Sequence, residues 1–76
     1  MTPDQLTKLC ESIYGDGWQS ALARDLAVAD RTVRRWVAGD FKIPDEMDSW
    51  LKQIIGARIK QYRKDIAHLQ HLGAKL

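Results

Sequence analysis

The stretch Gln19 to Trp36, QSALARDLAVADRTVRRW, restricts the possible folds more than any other part of this chain. Apolar residues recur at helical spacing twice within it, first as Leu22, Ala23 and Leu26, then as Val33, Trp36 and Val37. Val28 stands between the two runs, where it can plug the corner. The pattern predicts two short helices joined by a tight turn, their inner faces forming one small core.

The outer face of the second helix has a different chemistry. At about 100° per residue, Arg31, Arg34, Arg35 and Ala38 fall together, opposite Val33, Trp36 and Val37. Three guanidiniums therefore point outward in one direction. A guanidinium stays charged at any cellular pH, and its planar fork bonds a guanine edge in two places or grips phosphate oxygens. A helix with such a row fits the major groove of double-stranded DNA, which makes Arg31, Arg34 and Arg35 the base-reading candidates. Asp30, at the start of that helix, has two readings: a cap for open amides, or an acceptor for a cytosine amino group that also orients Arg34. Thr32 on the flank and Gln19 at the opening of the first helix are placed for phosphate.

The same residues resemble the helix-turn-helix of the Cro and phage-repressor family of transcriptional regulators. Gln19 opens the first helix as a polar residue does in that family, Ala23 follows four residues later, and Leu22, Leu26, Val28, Val33 and Trp36 fill its apolar places. Trp36-Val37-Ala38-Gly39, followed by Ile43-Pro44, resembles its exit from the recognition helix. The resemblance spans roughly residues 18 to 45 and departs at two positions. Ala27 stands where the family usually has a turn glycine, and Ala29 where it often has a serine cap. An alanine in a left-handed turn costs on the order of 1 kcal/mol. The resemblance implies an all-α, lambda-repressor-like domain whose motif covers residues 19–38.

Seventy-six residues suffice for one small domain, residues 1–76, which is marginal unless packing or association helps. The single cysteine, Cys10, can form no internal disulfide, and its place on an apolar face makes it a small buried residue. No apolar run approaches the roughly 20 residues of a membrane span, and MTPDQLTKL lacks the regions of a signal peptide. These features point to a cytoplasmic protein, bacterial or phage. The net charge of +2 is modest, but it is unevenly distributed. In residues 1 to 30, Lys8 and Arg24 stand against Asp4, Glu11, Asp16, Asp25 and Asp30, a net −3; the remainder carries +5. The basic excess begins at the proposed reading helix, which favours a polyanionic partner.

Thr2-Pro3-Asp4-Gln5 predicts a helix start with a capping box, and Leu6, Leu9, Cys10 and Ile13 form the apolar face of that helix up to Gly15. Gly15-Asp16-Gly17 is a turn. Trp18 after it either braces the next helix or lies against a phosphate. Beyond the arginines, Gly39 to Ile43 form a loop in which Phe41 and Ile43 are expected to tuck inward and Lys42 to meet a backbone phosphate. Pro44-Asp45-Glu46 then opens the last helix.

From there an apolar stripe runs to the C-terminus through Leu51, Ile55, Ile59, Tyr62, Ile66, Leu69 and Leu76, widened by Met47, Trp50, Ile54 and Leu72. Its phase survives across Gly56, which favours one long helix, bent or weakened there, over residues 45–72 and about 42 Å long. That is longer than so small a body can cover. The expectation is a twofold homodimer paired through Ile55, Ile59, Tyr62, Ile66 and Leu69, with a hairpin folding back on the first helix as the alternative. Lys60, Arg63 and Lys64 lie off the stripe and face solvent.

His68 and His71 are one turn apart, but two ligands without a third make a poor metal site, so no metal and no cofactor are expected. Ser12, Ser20 and Ser49 have no catalytic motif around them, and no glycine-rich phosphate loop is present, so an enzyme is not expected. No small-molecule effector domain is evident. The sequence therefore reads as a dimeric repressor that blocks a palindromic operator. The alternative is a protein-interaction module, antitoxin-like or an adaptor, working through its last helix.

Overall fold

The computed structural model describes residues 1–76, all of them in helices or in short connections between helices. Four helices follow in order: α1 Pro3–Tyr14, α2 Trp18–Leu26, α3 Asp30–Ala38 and α4 Met47–Ala74. No helix is long and apolar enough to cross a membrane.

The capping box at the start of α1 forms: the Gln5 amide donates to Thr2 Oγ1 at 3.2 Å, and the Thr2 amide to Gln5 Oε1 at 2.9 Å. Each satisfies an amide that the helix start leaves open. Leu6 and Cys10 of α1 are fully buried against Trp18, Leu22 and Ala23 of α2 and Val33 and Trp36 of α3. Ile43, Met47 and Leu51 close the same core from the far end of the chain. No polar side chain is buried, so the interior of the body is held by apolar packing. Trp18 lies within this core, which resolves its two readings in favour of bracing α2.

Both short helices end in the same way. Ala27 takes the left-handed conformation, with φ 56° and ψ 42°, while its amide bonds to Arg24 and the Val28 amide reaches Ala23 at 2.9 Å. Gly39 is left-handed at φ 81°, its amide donating to Trp36 and the Asp40 amide to Arg35 at 3.0 Å. The connection from α2 to α3 is thus only Ala27, Val28 and Ala29. That shortness fixes the angle at which α3 leaves the body.

Four expectations from the sequence need correction. Leu9 is 42% exposed, because the α1 face centred on Leu6, Cys10 and Ile13 is covered by α2 and α3 while the flank carrying Leu9 is not. Phe41 is exposed as well, since the left-handed Gly39 turns the chain back over Arg35 and leaves only Ile43 to enter the core. The last helix starts at Met47, two residues later than Asp45, and ends at Ala74. Pro44 belongs to a preceding turn closed by the Met47 amide on the Pro44 carbonyl at 3.1 Å, which lets Ile43 and Met47 both reach the core. The hairpin does not occur. α4 runs unbroken through Gly56 for 28 residues and gives the molecule extents of 53 × 21 × 21 Å.

Candidate nucleic-acid interface

The outer face of α3 carries three arginines. Arg31, Arg34 and Arg35 are all exposed, while Val33 and Trp36 between them are buried. The buried pair locks the rotation of α3, and helical spacing then directs the three guanidiniums to one side. The two ion pairs of the molecule, Lys8–Asp4 at 3.2 Å and Lys42–Asp45 at 3.5 Å, include none of these arginines. Their charge therefore remains available to an anion.

The three are not equivalent. The guanidinium of Arg35 lies over the ring of Phe41, 4.9 Å from its centroid. Stacking of this kind holds the fork in one orientation without consuming its in-plane donors. Phe41 is thus a feature of the site that sequence reasoning placed in the core. The available signal was Gly39, whose left-handed turn brings residues 40 and 41 back over the last turn of α3.

Asp30 also has a different role from the capping one. Ala29 occupies the cap position of α3 with extended dihedrals and makes no side-chain cap bond; Asp30 is the first helical residue. Its carboxylate accepts from Ser20 Oγ at 2.9 Å, which ties the start of α3 to the first turn of α2. No ion pair links it to Arg34. Gln19 and Thr32 are half-buried at the ends of the two helices that form the corner, and neither makes a side-chain hydrogen bond elsewhere in the protein. Lys42 is exposed and shares its charge with the equally exposed Asp45, a pairing that solvent screens and an incoming phosphate can displace.

A second polar cluster holds α4 to the body. Tyr14 Oη donates to Asp25 Oδ2 at 2.6 Å, the guanidinium of Arg58 covers the Tyr14 ring at 4.6 Å from its centroid, and Arg58 also donates to Tyr62 Oη at 3.2 Å. Burial, followed by the Asp25 carboxylate, pushes the Tyr14 phenol well above its usual range. It is a donor throughout the physiological range. His68 and His71 lie on the exposed outer part of α4, and no group of three or more His, Cys, Asp or Glu side chains comes together to hold a metal ion.

Comparison with protein-family models, curated proteins and solved structures returns no significant match.

Proposed function

We propose that this protein is a sequence-specific DNA-binding transcriptional regulator in which α2 and α3 form a helix-turn-helix. In this reading α3 enters the major groove, Arg31 and Arg34 reach base edges, and Arg35, stacked on Phe41, grips from the end of the helix. Gln19, Thr32 and Lys42 meet phosphates along the rim. The protein acts as a homodimer on a palindromic operator and represses by occluding RNA polymerase. The observation that carries the reading is the row of three exposed guanidiniums, free of ion pairs, on a helix whose opposite side packs into the core through Val33 and Trp36. The three-residue turn with a left-handed Ala27 supports it, because the resembled family usually has glycine there.

Selection of bound fragments from random duplex DNA, followed by gel shifts at low salt, tests the proposal. Arg34→Ala is expected to cost about 1–3 kcal/mol and to relax preference at one base pair. Equal weakening on every sequence would reassign Arg34 to phosphate. No binding at low ionic strength would end the DNA reading.

A second reading is favoured by a different surface. A groove of about 1020 Å³ runs between α4 and the α2–α3 corner, lined by Leu26, Val28, Trp36, Trp50, Ile54 and Tyr62 among others. An interaction module would use such apolar surface to hold a partner helix. It would tolerate loss of the three arginines and fail on loss of Tyr62, which lines the groove, or of Ile59 or Ile66, which are exposed beside and beyond it on α4.

A further inference from the structure

We infer that α4 pairs antiparallel with α4 of a second copy, the C-terminal turns of each lying beside α1 of the other. The inference rests on the homodimer in the proposed function and adds its geometry.

Ile55, Ile59, Tyr62, Ile66 and Leu69 follow the alternating four- and three-residue spacing of a coiled-coil seam, and all are exposed, Ile66 at 54% and Leu69 at 64%. On this seam Arg58 and Asp65 each precede an isoleucine, while Arg63 follows Tyr62. In a parallel pair the flanking contact runs from the position before one core residue to the position five residues on, which sets Arg58 against Arg63 of the other copy. In an antiparallel pair that layers Ile55 on Ile66 and Ile59 on Tyr62, the guanidinium of Arg58, held over Tyr14 and bonded to Tyr62 in its own chain, faces Asp65 of the other copy, twice by symmetry. The parallel arrangement opposes like charges, whereas the antiparallel one pairs opposite charges.

The ends of the helix point the same way. Asp48 lies seven residues before Ile55 and so on the same side of α4. Beside it a shallow groove of about 480 Å³ is lined by Met1, Gln5, Lys8 and Leu9. Met1 and Leu9 are exposed apolar residues on the body, and Leu69, Leu72 and Leu76 are exposed apolar residues on the tail. They cannot meet within one molecule, because α4 is continuous and about 40 Å separates residue 48 from residue 75. Antiparallel pairing brings the tail of one copy across the groove of the other and, in the register above, sets Lys52, which lies seven residues before Ile59 and so on the seam, beside Asp65 of the other copy. A parallel pair leaves Leu9 and Met1 uncovered and keeps Lys52 about 20 Å from Asp65.

Sedimentation of the unmodified protein at micromolar concentration, followed by zero-length carboxyl–amine cross-linking and peptide mapping, tests this without DNA. The expected result is a dimer joined between Lys52 of one copy and Asp65 of the other, a link that no single chain can make because 13 residues of continuous helix separate the two. Leu9→Glu, at an exposed site that keeps its helix content, is expected to raise the dimer dissociation constant at least about tenfold. A dimer lacking that cross-link and indifferent to Leu9→Glu would overturn the antiparallel arrangement while leaving the dimer standing. A strict monomer, or a seam covered only by a different protein, would overturn both, whatever the gel shifts show.

Discussion

The two halves of α4 carry the same apolar rhythm and meet opposite fates. Met47 and Leu51 are buried and Ile54 packs against the core, whereas Ile59, Ile66, Leu69 and Leu72, spaced in the same way, lie open. The difference is what stands opposite each half. α1, α2 and α3 cover the first two turns and reach as far as Arg58 and Tyr62 through the Tyr14–Asp25 cluster; beyond that the helix packs against no other element. Periodicity thus reports that a face suits burial, but it does not name the surface that buries it.

The largest test of this contrast compares one deletion in each half of the molecule. Leu22→Ala empties a fully buried site and is expected to cost about 2–5 kcal/mol, a large part of the roughly 4–11 kcal/mol available to a chain of this size. Ile66→Ala is expected to change the stability of the monomer by less than about 0.5 kcal/mol. Its effect should appear only as a loss of concentration dependence in the melting temperature. Urea unfolding of both variants at two protein concentrations checks this. Equal costs at high dilution would mean that the outer half of α4 is part of the body.

Next in size is an alkaline effect confined to the body. Burial pushes the Cys10 thiol from its usual 9.0 up to about 11. The folded state therefore keeps its proton where the unfolded chain has lost it. Stability is unaffected below about pH 9 and falls as pH rises from 9 toward 11, by about 2–3 kcal/mol in all. Cys10→Ala should remove this slope between about pH 9 and 10; above pH 10 the raised Tyr14 phenol leaves a decline of the same sign. The same burial predicts that Cys10 resists thiol reagents until the body unfolds, even where the outer part of α4 is already exchanging its amides. Labelling in step with exchange on the outer helix would break the distinction between the two regions.

What could be read from the sequence follows the same division. The capping box of Thr2 and Gln5, the paired faces of α2 and α3 and the outward direction of Arg31, Arg34 and Arg35 were legible because each depends on residues within one or two helical turns of one another. The position of Leu9, the path of Phe41 and the Ser20–Asp30 bond were not. Each depends on which flank of a helix another element covers, or on where a turn delivers the chain, and spacing along a helix carries neither. Arg58 is the same kind of case: nothing near it in sequence indicates that it lies over Tyr14, 44 positions earlier.

Smaller effects locate strain within the body. Ala27→Gly should stabilise the protein by about 1 kcal/mol, because alanine is held at φ 56° only by the packing of Val28 and the two short helices. Thermal melts of this variant, with DNA affinity measured in parallel, separate the turn's strain from its function. Destabilisation would show that the methyl group of Ala27 makes a contact worth more than the strain.

The smallest expected effect falls where the two regions join. A Cβ added to Gly56 would meet no atom within 4 Å, so Gly56→Ala should improve helix propensity by about 0.5–1 kcal/mol with no steric penalty. Where that gain appears is informative. Met47 and Leu51 anchor α4 before Gly56 and Arg58 anchors it after, so if the Tyr14–Arg58 stack couples the halves, the gain enters global stability. If the outer helix frays on its own, the gain appears only as slower amide exchange from residue 57 onward, and the melting temperature does not change. Adding Arg58→Ala to Gly56→Ala distinguishes these cases: removing the anchor should convert a global gain into a local one, and a gain that stays global without Arg58 would mean that helix continuity alone transmits it.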